Sequence, residues 1–218
     1  MSPLTYLKPN ESLSVFIAGL IVVLSSTLAA TTLSGGDQEG VSAALIAAIG
    51  VNAAWGLVNA VLYMMGSTFD SNRRLRLGRA IASAPDETAA VAAIRGELDP
   101  SLAPVAEDED RESLYRRVRI SMVHGRLPPR IGSLRHNAFG AIEVFCVALA
   151  ASFPAVLPLV LFGDPWLAFR ISNLVVVGLL FLAGYYWAKY VHANRWLTGF
   201  GLTGIGLALV AVTTLLGG

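Results

Sequence analysis

Glu143 is the one acid set well inside a long apolar run, Ala138–Phe162. An ionisable group in such a run marks an ion path, a proton relay or a buried partner. Closeness to the interface, or an ion pair with an arginine such as Arg135, accounts for it as well. Asn52 and Asn59 lie seven apart in another apolar run and share a helix face, with Gly56 between them and Met64 and Met65 following. Amides and thioethers can line a cation path, methionine favouring softer ions. As packing residues, the amides would instead bond across helices and the methionines fill gaps. A third group is acidic: Glu107, Asp108, Glu109, Asp110 and Glu112 supply hard oxygen ligands. Glu109/Glu112 and Asp108/Glu112 have the spacing that brings carboxylates together on a helix. The alternative is a solvated helix start that complements the dipole and pairs with nearby arginines.

Other features carry less chemistry. Ser25, Ser26 and Thr27 form a polar notch whose hydroxyls would bond back to the backbone or to a neighbouring helix. Arg170, one turn before Asn173, is placed to reach the headgroups. Pro154 and Pro158 remove backbone donors and either kink a helix or free carbonyls for ions. His124 and His136 are single histidines in a basic neighbourhood, with no metal role expected. Gly199-Phe200-Gly201-Leu202-Thr203-Gly204 matches G-x-G-x-x-G but follows no strand, so close packing of Gly199, Gly201, Gly204 and Gly206 is expected instead of dinucleotide binding. No nucleophile–base pair is evident, so no catalytic residues, no enzyme activity and no cofactor are expected. The single Cys146 excludes an internal disulfide framework.

The elements that must position these residues are membrane helices. Of 218 residues, 55% are hydrophobic and 14% charged, and mean hydropathy is +0.61. Soluble domains carry nearer a quarter charged residues, roughly 25%. Five windows reach the roughly 20 apolar residues that a spanning helix needs: Leu13–Leu33, Val41–Met65, Ala138–Phe162, Leu167–Tyr190 and Trp196–Leu216. The first is too long for a secretory signal and reads as a retained helix. A net charge of +1 gives no reason to expect nucleic acid.

Twelve of the sixteen basic residues, all arginines, lie between Arg73 and Arg135. The positive-inside rule puts that segment in the cytoplasm. The loops at Ser34–Gly40 and Gly163–Trp166 have no base and go outside, while Lys189, His192 and Arg195 mark the last turn as inside. The amino terminus is then cytoplasmic and the carboxyl terminus outside. The fold expected is an all-α integral membrane protein, in a bacterial inner membrane. Residues 1–65 give two spans, 66–137 a helical cytoplasmic insert, and 138–218 three spans. In the insert, one helix is expected from Pro85-Asp86-Glu87 to Gly96 or Asp99-Pro100. A second is expected from Pro104 through Arg119, stopped by Gly125 and Pro128-Pro129.

This order of elements resembles the vacuolar iron transporter (VIT-like) family. Ala151-Ser152-Phe153-Pro154-Ala155-Val156-Leu157-Pro158 is similar to the family's proline-bearing third span, and Phe181-Leu182-Ala183-Gly184 to the end of its fourth. Thr198-Gly199-Phe200-Gly201 through Gly217 resembles its glycine-bearing fifth, and Asn52 to Ala60 the second span of VIT-like bacterial relatives. The resemblance implies a homodimer in the lipid bilayer that exports ferrous iron or manganese from the cytosol in exchange for protons. Glu143, Asn52, Asn59 and Met64 would then line the path, and Glu107, Asp108, Glu109 and Glu112 would recruit the metal. The chain departs from the family's pattern in three places. Leu13–Leu33 holds no acid, Asn59 stands where a carboxylate is common, and only Glu109/Glu112 repeats the Glu-x-x-Glu pairing. An amide cannot exchange protons as a carboxylate does. The second expectation is therefore a non-transporting scaffold or regulatory protein that keeps the fold and binds a protein partner or anionic lipid.

Overall fold

The computed structural model describes residues 7, 9–34, 37–124 and 134–215, and these form eight α-helices. They are α1 (Pro9–Ser34), α2 (Gln38–Ala82), α3 (Glu87–Leu102), α4 (Asp108–His124), α5 (Leu134–Ala150), α6 (Phe153–Leu161), α7 (Pro165–Val191) and α8 (Arg195–Leu215). Among the described residues five stretches are helical, long and apolar enough to cross a membrane, α5 and α6 counting as one. The chain divides into two compact units, residues 1–63 with 138–218, and residues 64–137.

The first unit is built from α1, the start of α2, and α5 to α8. Its core gathers Leu20, Val23 and Leu24 of α1 with Ala48 of α2, Ala151, Ala155, Val176 and Leu180. Small residues let the helices approach: a Cβ on Gly184 would lie 3.0 Å from the Gly199 Cα, and one on Gly19 only 2.7 Å from the Ala151 Cβ. Gly199 packs under Phe181 and Gly206 under Leu180, whereas Gly201 and Gly204 face open space. Helix packing therefore explains only half of the G-x-G-x-x-G stretch and its neighbour. Outward faces are strongly apolar, with Ile46 75% and Leu57 60% exposed, as lipid contact requires.

Local chemistry sets the ends. Asp164 caps α7 by accepting from the Trp166 amide, and Pro165 occupies the first turn, where a missing amide costs nothing. His192 closes the same helix in the left-handed region at φ 53°. The Asn194 side chain then accepts from the amides of Trp196 and Leu197 to start α8. The run Ala138–Phe162 is not one helix. Pro154 offers no amide to the Ala150 carbonyl, and the Ser152 amide turns back to Leu149 at 3.0 Å, so α5 ends at Ala150 and α6 begins at Phe153.

The second unit contains the end of α2, α3 and α4, around Ile81, Ala90, Val91, Ile94 and Tyr115. The second helix does not stop at Met65: no proline occurs between Met65 and Pro85, and helix-forming residues carry α2 on to Ala82. Asp86 caps α3, which continues past both Gly96 and Pro100 to Leu102. Nor does α4 open at Pro104, because the Val105 and Ala106 amides both turn back to the Leu102 carbonyl at 3.0 Å. It starts at Asp108. The expected stop at Gly125 and Pro128-Pro129 lies outside the described residues.

Candidate functional site

Glu143 stands on α5 with only 7% of its surface exposed. Among the described residues it is the one carboxylate in the wall of a cavity of about 910 Å³, whose other lining residues include Phe16, Phe139, Cys146, Tyr186 and Tyr190. Three residues earlier on the same helix, Gly140 makes room for a ring: a Cβ there would run into the Tyr63 phenol of α2. Residues three apart share a helix face, so the cleft that admits Tyr63 adjoins Glu143. Tyr63 is in electrostatic reach of both Glu143 and Glu11, the acid in the first turn of α1. The Tyr63 phenol thus feels an acid from each of two other helices.

Asn52 does not join them. It is fully buried and donates through Nδ2 to the Ser152 hydroxyl at 2.8 Å and to the Gly19 carbonyl at 3.3 Å. Its Oδ1, also buried, accepts no hydrogen bond among the described residues. Asn59 donates to the Trp55 carbonyl of its own helix at 2.8 Å. Neither amide lines the Glu143 cavity. Met64 is half-buried and belongs to the second unit. The hydroxyls of Ser25 and Ser26 bond back to Ile21 and Val22, while Thr27 bonds across to Asn173 at 2.7 Å. Arg170 lays its guanidinium 3.6 Å from the centre of the Trp166 ring, a cation–π contact within the first turn of α7.

The acidic run is tied to arginines. Glu112 pairs with Arg95 and Arg116, and Asp108 with Arg111, which also holds Asp99 at 2.5 Å. Glu107, Asp108, Glu109 and Asp110 are exposed. No three His, Cys, Asp or Glu side chains among the described residues come together to hold a metal ion. Tyr115 is buried between α3 and α4 and donates to Asp99 at 2.7 Å. Burial first, and that hydrogen bond second, push its phenol above the ordinary range.

Sequence reasoning found Glu143 and missed its company. Glu11 falls just before an apolar window drawn from Leu13, and Tyr63 carries no mark of its own in the sequence. The one available signal was Gly140, a small residue one turn from an intramembrane acid. Neither models of known protein families nor curated protein sequences match the chain.

Proposed function

We propose that this chain is a VIT-like integral membrane protein that moves a divalent cation, ferrous iron or manganese, out of the cytosol. Glu143 is the carboxylate of the path, with Tyr63 packed one turn away at Gly140. The observation that carries this reading is the burial of Glu143 in a cavity within a membrane-crossing segment, where an ionisable group is costly and functional by default. The arginine-rich segment supports a cytoplasmic side for residues 64–137 and for the amino terminus, in a bacterial inner membrane. The resemblance supplies the homodimer and the exposed Glu107–Asp110 acids as the place where metal is first recruited. Flux of iron, manganese, cobalt and zinc into proteoliposomes, with and without a pH gradient, tests it. Transport by the native chain and its loss in Glu143→Gln are expected; no flux of any of the four metals sinks it.

A second reading is a scaffold that keeps the fold without transport. It is favoured by Asn52 and Asn59, whose amides serve packing and their own helix, and by the arginine partners of Asp108 and Glu112. It predicts a protein or anionic-lipid partner for residues 64–137, recovered by crosslinking in membranes. Tight metal binding by calorimetry, with no crosslinked partner, would count against it.

A further inference from the structure

Past its apolar run, α2 carries a cationic face whose charge the fold leaves open. Phe69, 60% exposed, is the last large apolar side chain that α2 presents outward, so an apolar surface suited to lipid tails ends there. Arg73, Arg76 and Ala80 follow on the same face of the helix. With Phe69, and with Ala93 and Glu97 of α3, they line a groove of about 330 Å³ within the second unit. Arg73 pairs with Glu97. Arg76 is exposed and forms no ion pair among the described residues, and the same holds for Arg74 and Arg79. On α3 and α4, by contrast, Arg95, Arg111, Arg116 and Arg119 each hold an acid, and among the described residues only Arg117 of those helices lacks one. Most of the unit's uncompensated positive charge therefore sits on the helix that continues from a membrane-crossing stretch.

We infer that this groove binds the phosphate of an anionic phospholipid in the leaflet through which α2 leaves the bilayer. At about 1.5 Å per residue, Arg73 and Arg76 rise about 6 Å and about 11 Å beyond Phe69. The headgroup layer adds roughly 5–8 Å to each side of the hydrocarbon. An arginine stem that leans back towards the bilayer brings its guanidinium to the level of the phosphates. Glu97 and Arg73 cancel, which leaves the groove the single positive charge of Arg76, the complement of one phosphodiester. The guanidinium fork matches two phosphate oxygens, and the Phe69 ring lies on the side where the acyl chains begin. The inference rests on α2 crossing the membrane, and it gives the anionic-lipid partner of the second reading a defined site.

The test uses the full chain in dodecyl maltoside, titrated with phosphatidylglycerol or with phosphatidylcholine of the same acyl chains and read by native mass spectrometry. Retention of one phosphatidylglycerol per chain is expected at concentrations where phosphatidylcholine leaves no adduct. Arg76→Gln should raise the apparent Kd about fivefold, the effect of one arginine at an anionic surface. Arg76 has no ion pair to lose, and Arg76→Lys, which keeps the charge, should recover most of the affinity. Arg79→Gln and Arg117→Gln remove the same charge outside the groove and should change the Kd by less than about twofold, being screened from it. Equal retention of the two lipids overturns the inference. Equal weakening by all three glutamine variants does so too, since the charge would then act diffusely. Displacement by excess glycerol 3-phosphate also overturns it, because the ligand would then be a soluble phosphate. A protein partner crosslinked to residues 64–137, without selectivity for phosphatidylglycerol, removes this inference and leaves the second reading standing. Selective retention accompanied by metal flux does the reverse.

Discussion

Asn52 donates to the Ser152 hydroxyl at 2.8 Å, and that hydroxyl donates in turn to the Ala48 carbonyl at 3.0 Å, one turn back on the same helix. The break between α5 and α6 is thereby tied to α2 at two successive turns. Ser152 is 2% exposed and Asn52 fully buried, so neither group has water to fall back on.

Ser152→Ala should therefore be the more damaging change of the pair. It leaves the buried Asn52 amide with one long bond to Gly19, and a loss of about 0.6–1.7 kcal/mol is expected, the range for hydrogen bonds between membrane helices. Asn52→Leu removes an amide oxygen that accepts no bond among the described residues and leaves the Ser152 hydroxyl its bond to the Ala48 carbonyl, so a smaller loss is expected. Thermal unfolding in detergent ranks the two. A larger loss for Asn52→Leu would mean that its Oδ1 is engaged.

Two glycines separate rigid from yielding contacts. Gly19→Ala places a methyl 2.7 Å from the Ala151 Cβ and 3.3 Å from the Ala148 carbonyl oxygen. Neither atom can move without its backbone, so about 1–3 kcal/mol of destabilisation is expected, as for other overpacked sites. Gly140→Ala meets only the far end of the Tyr63 ring, which can swing aside. A smaller loss is expected there, cancelled in the Gly140→Ala/Tyr63→Ala double variant. Melting temperatures of Gly19→Ala, Gly140→Ala, Tyr63→Ala and the double variant check both statements.

Arg111 holds two acids at once. Its side chain is 14% exposed, against 92% for Asp108 and 38% for Asp99. Arg111→Ala should unfold the α3–α4 pair earliest, Asp99→Asn less so, and Asp108→Asn hardly at all, because a fully solvated partner contributes little. Hydrogen exchange across residues 87–124 reads the order. An Asp108→Asn effect as large as that of Arg111→Ala would contradict it.

Tyr115 gives the second unit an alkaline limit. Its phenol is raised above its ordinary value of about 10, by burial first and by its bond to Asp99 second. The folded state favours the neutral phenol, so this contribution is complete below about pH 10 and is lost as pH rises through the raised value. Absorbance of phenolate against pH should show a late-ionising tyrosine that is lost in Tyr115→Phe. The Phe variant should also lose less helix between neutral and strongly alkaline pH.

The sequence by itself determined the five apolar segments, the arginine-rich stretch between the second and third, and Glu143 as the isolated intramembrane acid. Hydropathy and charge are local quantities summed along the chain, and they need no partner to be read. Even some caps were legible, because Asp86 and Pro165 act on their own helix within one turn. The tertiary structure alone decided what faces what. Tyr63 comes up to the helix that carries Glu143 because Gly140 leaves space for its ring, a fact about two helices together. Asn52 and Asn59, equivalent by spacing, part company because one meets Ser152 and the other finds only its own backbone. Likewise, Gly199 packs and Gly201 does not, since two residues along a helix turn a side chain by roughly 200°.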